Sequence, residues 1–295
     1  MTKKKNTGKL YAKSGLLMTY EEKKKLVARF NLTSDIFFSK VIEDQGACEE
    51  VLHILTGKSI KIRSIKSQYS IRNLETRSVI LDVLAETRRG RLINIEMQTG
   101  ENENHLKRSR YHQACIDVSM LEKGTPFDKL PELYSIFITK KDFFNLGKGI
   151  YHVERTLREG ELTIDNGIHE IYVNLQGEVK NPVLRSLLDY INDSNPDYEN
   201  PHFPNLIKRV QFYKKEQEGL DYMCEIMDAI REGGVEAGLE AGMEIGKAEG
   251  LETGIRSLIC TLHEINANDS FIIAKLKEHF HLSQANAQKA LQRYS

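Results

Sequence analysis

Two short apolar segments flanking a turn constrain this chain most. Between residues 78 and 86, Val79, Leu81, Val83 and Ala85 alternate with Ile80, Asp82 and Leu84. Further on, Ile93, Ile95 and Met97 alternate with Asn94, Glu96 and Gln98. A period of two belongs to a β-strand, whose successive side chains leave opposite faces. Arg88-Arg89-Gly90 between them is a turn. The pattern predicts a hairpin. Its first strand has one wholly apolar face; its second has one buried face and one polar face.

Helical spacing surrounds the hairpin. A short helix is expected over 20–29. Phe38, Val41, Ile42, Val51, Leu52 and Leu55 predict a second helix, capped by Ser34 or Asp35 and stopped by Gly57. Ile60, Ile62 and Ile65 suggest a strand. A helix over about 104–122 ends at Gly124 and Pro126, and Leu133 to Thr139 is an apolar strand. Two more strands are expected near 150–155 and 169–176. The order through residue 140 is helix, three strands, helix, strand, an α/β core covered by helices.

The second half turns helical, over 181–193 and about 205–230. Gly234, Gly238, Gly242, Gly246, Gly250 and Gly254 then recur every fourth residue, with Glu232, Glu236, Glu240 and Glu244 between them. Six glycines make an isolated helix costly, at about 1 kcal/mol each relative to Ala. The segment is therefore either a self-associating helix or an acidic linker. The expected organisation is a basic tail and short helix (1–30), an α/β domain (31–180), a helical extension (181–231), the Glu/Gly repeat (232–255) and a small helical end piece (256–295).

Asp82 carries the chemical interest. It interrupts the run Val-Ile-Leu-Asp-Val-Leu-Ala, and a carboxylate among apolar neighbours needs a partner or a metal. Positions 82 and 96 lie equally far from the turn centre near Arg89, so they should face each other, with Cβ atoms about 4.5–5.5 Å apart. Gln98 shares the face of Glu96. Two carboxylates that close raise each other's pKa unless a cation neutralises them. Mg²⁺, an oxygen-seeking ion that binds one or two carboxylates plus phosphate oxygens, suits the pair. An ordinary solvated strand face is the alternative.

Charge is unevenly distributed. The 295 residues hold 42 Lys plus Arg and 42 Asp plus Glu, a net charge of +0. Residues 1–30 carry nine basic residues against two Glu, and 57–115 twelve against six acidic ones. Residues 220–254 carry nine acidic residues against two basic ones. Neutrality is thus a cancellation and does not exclude a polyanionic partner. Lys58, Lys61, Arg63, Lys66, Arg72, Arg88, Arg89 and Arg91 offer a phosphate-tracking surface. Cys48, Cys115, Cys224 and Cys260 have neither zinc nor disulfide spacing, which suits a reducing cytoplasm. No apolar run suggests a membrane span.

The segment Leu81-Asp82 with Ile95-Glu96-Met97-Gln98 resembles the PD-(D/E)XK nuclease superfamily. More narrowly, it is similar to the PD-(D/E)XK nuclease family transposases, also called recombination-promoting nucleases. Ser34-Asp35-Ile36-Phe37-Phe38, Arg108-Ser109-Arg110-Tyr111, Leu121-Glu122-Lys123-Gly124 and the Glu/Gly array agree with it. The resemblance spans about residues 30–255. It implies a restriction-endonuclease-like core with an extended helical C-terminal region.

The same resemblance implies Asp82 and Glu96 as ligands of Mg²⁺ or Mn²⁺. Gln98 stands where the superfamily has a water-orienting Lys, and an amide can position water but not act as a base. Asp35 resembles an extra acidic site residue; an N-cap is its alternative role. Arg108, Arg110 and Tyr111 on the following helix, with Arg88 and Arg89, are the candidate phosphate or DNA contacts; plain surface residues are the alternative. His105 and His112 read as polar helix residues, possible neighbours of DNA.

The resulting expectation is a metal-dependent DNA endonuclease linked to recombination or transposition. It would be cytoplasmic, with DNA as partner and a homo-oligomer built through the C-terminal helices. Two rivals stand beside it: a catalytically weak DNA-binding accessory protein on the same fold, and a multimerising interaction protein.

Overall fold

The computed structural model describes residues 18–72, 77–99, 105–265 and 267–294. The predicted basic tail, residues 1–17, lies outside them. Among the described residues three helices precede the first strand. Helix α1 (Tyr20–Arg29) starts with a capping box, in which Thr19 accepts from the Glu22 N–H at 3.3 Å and Glu22 accepts from the Thr19 N–H at 2.7 Å. The single helix predicted over 35–56 is two, α2 (Asp35–Ile42) and α3 (Gln45–Thr56). The break falls at Asp44, whose carboxylate accepts from the Ala47 N–H at 2.9 Å and caps α3. Gly57, at φ +67°, ends α3 as its position predicts.

The strands are β1 (Ile62–Ile71), β2 (Val79–Thr87) and β3 (Leu92–Gln98), then β4 (Leu133–Thr139) after helix α4 (His105–Met120) and a 3₁₀ turn. Strands β5 (Ile150–Val153), β6 (Arg155–Leu157), β7 (Leu162–Ile164) and β8 (Ile168–Asn174) follow. Six of them form one sheet in the order β1-β2-β3-β4-β8-β5. β1 to β3 run antiparallel, β3, β4 and β8 run parallel, and β5 returns antiparallel on β8. β6 and β7 pair separately as a small hairpin that the sequence pattern did not predict.

Every residue of β3 from Leu92 to Met97 is buried, and so is all of β4. The expected exposed face of β3 is therefore corrected: Asn94 and Glu96 are each 1% exposed. Parallel strands reached by crossover helices are covered on both faces. Here α4 covers the polar face, with Ser109 standing 3.3 Å from Ser135 of β4.

The first compact unit extends through Cys224. It includes α5 (Pro182–Asp193) and α6 (Pro204–Lys215). Asn181 caps α5 by accepting from the Val183 and Leu184 N–H groups at 2.9 and 3.2 Å. Phe203 offers α6 no side-chain cap. Glu50 of α3 replaces one, accepting from the Asn205 and Leu206 N–H groups at 3.1 and 3.0 Å.

Glu216 takes an extended conformation and separates α6 from α7 (Gln217–Glu264). The glycine tetrads lie inside this continuous helix, where Ala, Glu, Leu and Met supply the helical propensity between them. The second unit, Glu225–Ser295, holds the rest of α7 with α8 (Asp269–Phe280) and α9 (Gln284–Tyr294). Among the described residues no helix is long and apolar enough to cross a membrane.

Candidate active site

Asp82 and Glu96 meet where the β2–β3 ladder ends. The register pairs Glu86 with Leu92 and continues to Val83 with Ile95, one step short of Asp82 and Glu96. Beyond that point the Asp82 side chain takes over, its Oδ2 accepting from the Met97 N–H at 2.8 Å. Among the described residues its Oδ1 receives a long 3.5 Å contact from Gln68 Nε2. Gln68, at φ +46°, sits in the left-handed region inside β1, opposite Asp82, where regular pairing skips a residue. Such a conformation is unfavourable for a non-glycine residue, and here it brings an amide beside the carboxylate.

Glu96 is more deeply enclosed. Neither of its oxygens has a hydrogen-bond partner among the described residues. His112 of α4, 5% exposed, brings Nδ1 to 3.2 Å from Glu96 Oε1 without hydrogen-bond geometry. Arg108, one turn earlier on α4, places one guanidinium nitrogen 3.9 Å from Glu96 Oε2. Another donates to Gln98 Oε1 at 2.6 Å. Burial first, and then the Glu96 charge, push the Asp82 carboxyl well above the ordinary carboxylate range. The Met97 N–H and Arg108 act the other way, and Asp35 adds to the rise.

These residues fit a divalent cation. A buried carboxylate with two unpartnered oxygens costs several kcal/mol unless a cation or donors compensate it. The donor set is oxygen only, which suits Mg²⁺ or Mn²⁺ better than zinc. Among the described residues no group of three or more His, Cys, Asp and Glu side chains could hold a metal ion. Asp82 and Glu96 would therefore be completed by water and phosphate oxygens, the usual arrangement for Mg²⁺.

The other expected site residues separate into three groups. Arg108 and Gln98 join the carboxylates. Asp35 is exposed at the start of α2; Ser34 takes the N-cap position, and Asp35 Oδ1 accepts from the Ile36 N–H at 2.8 Å. Its charge is felt at Asp82. Arg110 is exposed on α4, and the Tyr111 hydroxyl donates to the Arg77 carbonyl. Arg88 and Arg89 are exposed at the hairpin turn, at the opposite end of β2 from Asp82. Six residues of strand put roughly 20 Å between Asp82 and Arg88.

Much of the predicted basic surface is internally matched. Lys61 pairs with Glu49 at 2.6 Å, Arg63 with Glu86 at 3.1 Å and Arg91 with Glu132 at 2.8 Å. Lys58 donates to the Tyr134 hydroxyl at 3.0 Å.

Sequence pattern missed His112, expected as a polar helix residue and found buried against Glu96. The signal was available in its spacing, since Arg108 and His112 are i and i+4 and share a helix face. His105 instead lies among the rings of Phe137 and Phe143.

Residues 48–183 match the model of the family described as PD-(D/E)XK nuclease family transposase. Comparison with curated proteins and with solved structures gave no match. The matched stretch runs from α3 to the start of α5 and includes Asp82, Glu96, Gln98, Arg108 and His112, whereas Asp35 precedes it. Residues 48–183, which carry the whole six-stranded sheet, are thus similar to the PD-(D/E)XK nuclease family transposases.

Proposed function

We propose that the chain is a divalent-metal-dependent DNA endonuclease acting in recombination or transposition. The family match over residues 48–183 supports the coarser role, a nuclease or transposase with DNA as the implied substrate. The observation that carries the finer reading is the Glu96 carboxylate, buried beside Asp82 with neither oxygen hydrogen-bonded among the described residues.

A cation held by Asp82 and Glu96 would supply Lewis-acid activation of water and charge stabilisation on the phosphodiester. The chain's own groups have separate tasks. The Met97 N–H holds one Asp82 oxygen, and the other has a long 3.5 Å contact from Gln68 Nε2. Arg108, partly exposed, keeps N–H groups beyond the one on Gln98, and a guanidinium binds phosphate bidentately. Gln98 Oε1 is occupied by Arg108, so its amide N–H groups are what remain to orient a water.

Supercoiled plasmid incubated with Mg²⁺ should be nicked or linearised, and EDTA should stop it. Asp82→Asn and Glu96→Gln should abolish cutting while circular dichroism stays unchanged. A folded double variant that cuts at the wild-type rate overturns the proposal.

Gln98 favours a second reading, a DNA-binding accessory protein that cuts poorly. An amide offers neither a base nor a positive charge next to the carboxylates. The same plasmid assay separates the two, because an accessory protein retards the DNA without nicking it.

A further inference from the structure

The C-terminal helices have features that the nuclease site does not use. α8 and α9 are joined by only three residues, His281-Leu282-Ser283. His281 occupies the left-handed region at φ 53°, which ends α8 and turns the chain. Ser283 then caps α9, its hydroxyl accepting from the Asn286 N–H at 3.3 Å. Ile255 and Ile259 of α7, Ile272 and Leu276 of α8, and Ala287 and Leu291 of α9 form a common core. Two helices linked by a three-residue turn and braced by a third have the connectivity of a helix-turn-helix unit.

The outward face of α9 differs in chemistry from the rest of the second half. Gln284, Ala285, Gln288, Lys289 and Gln292 are exposed and form one continuous stripe. No acidic residue follows Glu278, although residues 220–254 carry nine acidic residues. Arg293 lies beside the stripe, held by Glu252 at 3.1 Å. A helix that docks on protein offers apolar anchors at i, i+3, i+4 and i+7. This stripe offers amides, one small apolar residue and a cation. Gln pairs bidentately with the adenine edge, Ala touches the thymine methyl, and Lys reaches phosphate or guanine. Eleven residues give a rod about 16 Å long and 10–12 Å wide, which fits a major groove about 12 Å wide.

We propose that residues 255–294 are a second DNA-binding module that presents α9 to the major groove of duplex DNA, with Gln284, Gln288 and Gln292 facing base edges and Lys289 facing the backbone. This rests on DNA being the substrate proposed above, but binding is measured apart from cleavage. The protein is the full chain carrying Asp82→Asn, kept in EDTA. The probe is fluorescently labelled duplex DNA of mixed sequence, titrated by anisotropy at several salt concentrations.

Replacing Gln288, Lys289 and Gln292 together by Ala should weaken binding by at least about tenfold, and Lys289→Ala alone should lower the salt slope by about one. All three positions are exposed, and an unchanged melting temperature will show that the fold is kept. Unchanged affinity and slope overturn the module even if the wild type cuts plasmid, so its failure is distinct from failure of the nuclease. A changed mass in sedimentation with unchanged DNA affinity would make the stripe a protein contact and also overturn it. Tight, α9-dependent binding in a chain that never cuts would sustain the module while removing the nuclease.

Discussion

Arg108 Nη1 donates to Gln98 Oε1 at 2.6 Å, and Nη2 of the same guanidinium stands 3.9 Å from Glu96. The positive charge beside the carboxylates thus comes from α4, not from the strand position that Gln98 fills. It is also a fork of fixed shape, able to hold Gln98 and a phosphate oxygen together.

Arg108→Ala should therefore slow cleavage by about a hundredfold, the size of losing one aimed donor in an active site. Arg108→Lys keeps the charge and loses the fork, so it should restore only part of the rate. Single-turnover cleavage of a labelled duplex at saturating protein measures both. A rate within twofold of wild type for Arg108→Ala would remove Arg108 from the site.

Asp82 sets a pH dependence in the metal-free protein. Burial and the Glu96 charge raise its carboxyl from 3.8 to about 7 in the fold. Between those values the native state holds a proton that the unfolded chain releases. Stability should therefore fall as pH rises through that window and be greatest at its acid end. Melting temperatures in EDTA across the window check this, with Asp82→Asn flattening the trend. Mg²⁺ should restore stability at neutral pH, by about 2.7 kcal/mol at a hundred times its Kd. A wild-type profile as flat as the variant's would refute it.

The hairpin was legible because a period of two survives in almost any context, and the equal distance of Asp82 and Glu96 from the turn set their facing positions. The burial of Glu96 was not legible, because its cover is α4. That helix turns Ser109, His112 and Gln113 inward beside Ile116, so its buried stripe is mostly polar and leaves only a weak apolar period to read. The break between α2 and α3 was hidden for the opposite reason: apolar residues continue across it at helical spacing, and only Asp44 marks it. Arg88 and Arg89, expected as phosphate or DNA contacts, lie at the hairpin turn, where the strand carries them away from the carboxylates. The Glu/Gly array had two readings because propensity and periodicity disagreed, and the glycines lie within α7.

His112 should act on metal binding before it acts on rate. Its Nδ1 stands 3.2 Å from Glu96 Oε1, and a modest ring rotation makes that a hydrogen bond. Outer partners of this kind hold a ligating carboxylate in one orientation and contribute about 10–100-fold in metal affinity. His112→Leu should weaken Mn²⁺ binding by about tenfold in calorimetry, with His112→Gln in between. Equal affinity for all three proteins would show that His112 only fills space.

Glu50 should prove a stability residue, independent of the site. Its carboxylate accepts the Asn205 and Leu206 N–H groups and the Asn205 side-chain amide at 2.6 Å, at the start of α6. Those backbone donors have no partner within their own helix, and a negative charge there also opposes the helix dipole. Gly46, one turn earlier on α3, leaves room for this contact; a Cβ there would meet Asn205 Cγ at 2.9 Å. Glu50→Ala should cost about 1–2 kcal/mol, the usual loss for a helix cap. Gly46→Ala should destabilise the same junction by displacing Asn205. Because both changes act on one contact, the double variant should lose less than the two single losses added together. Urea unfolding at constant m-value measures all three proteins. Strict additivity would mean that Glu50 and Gly46 support α6 through separate contacts.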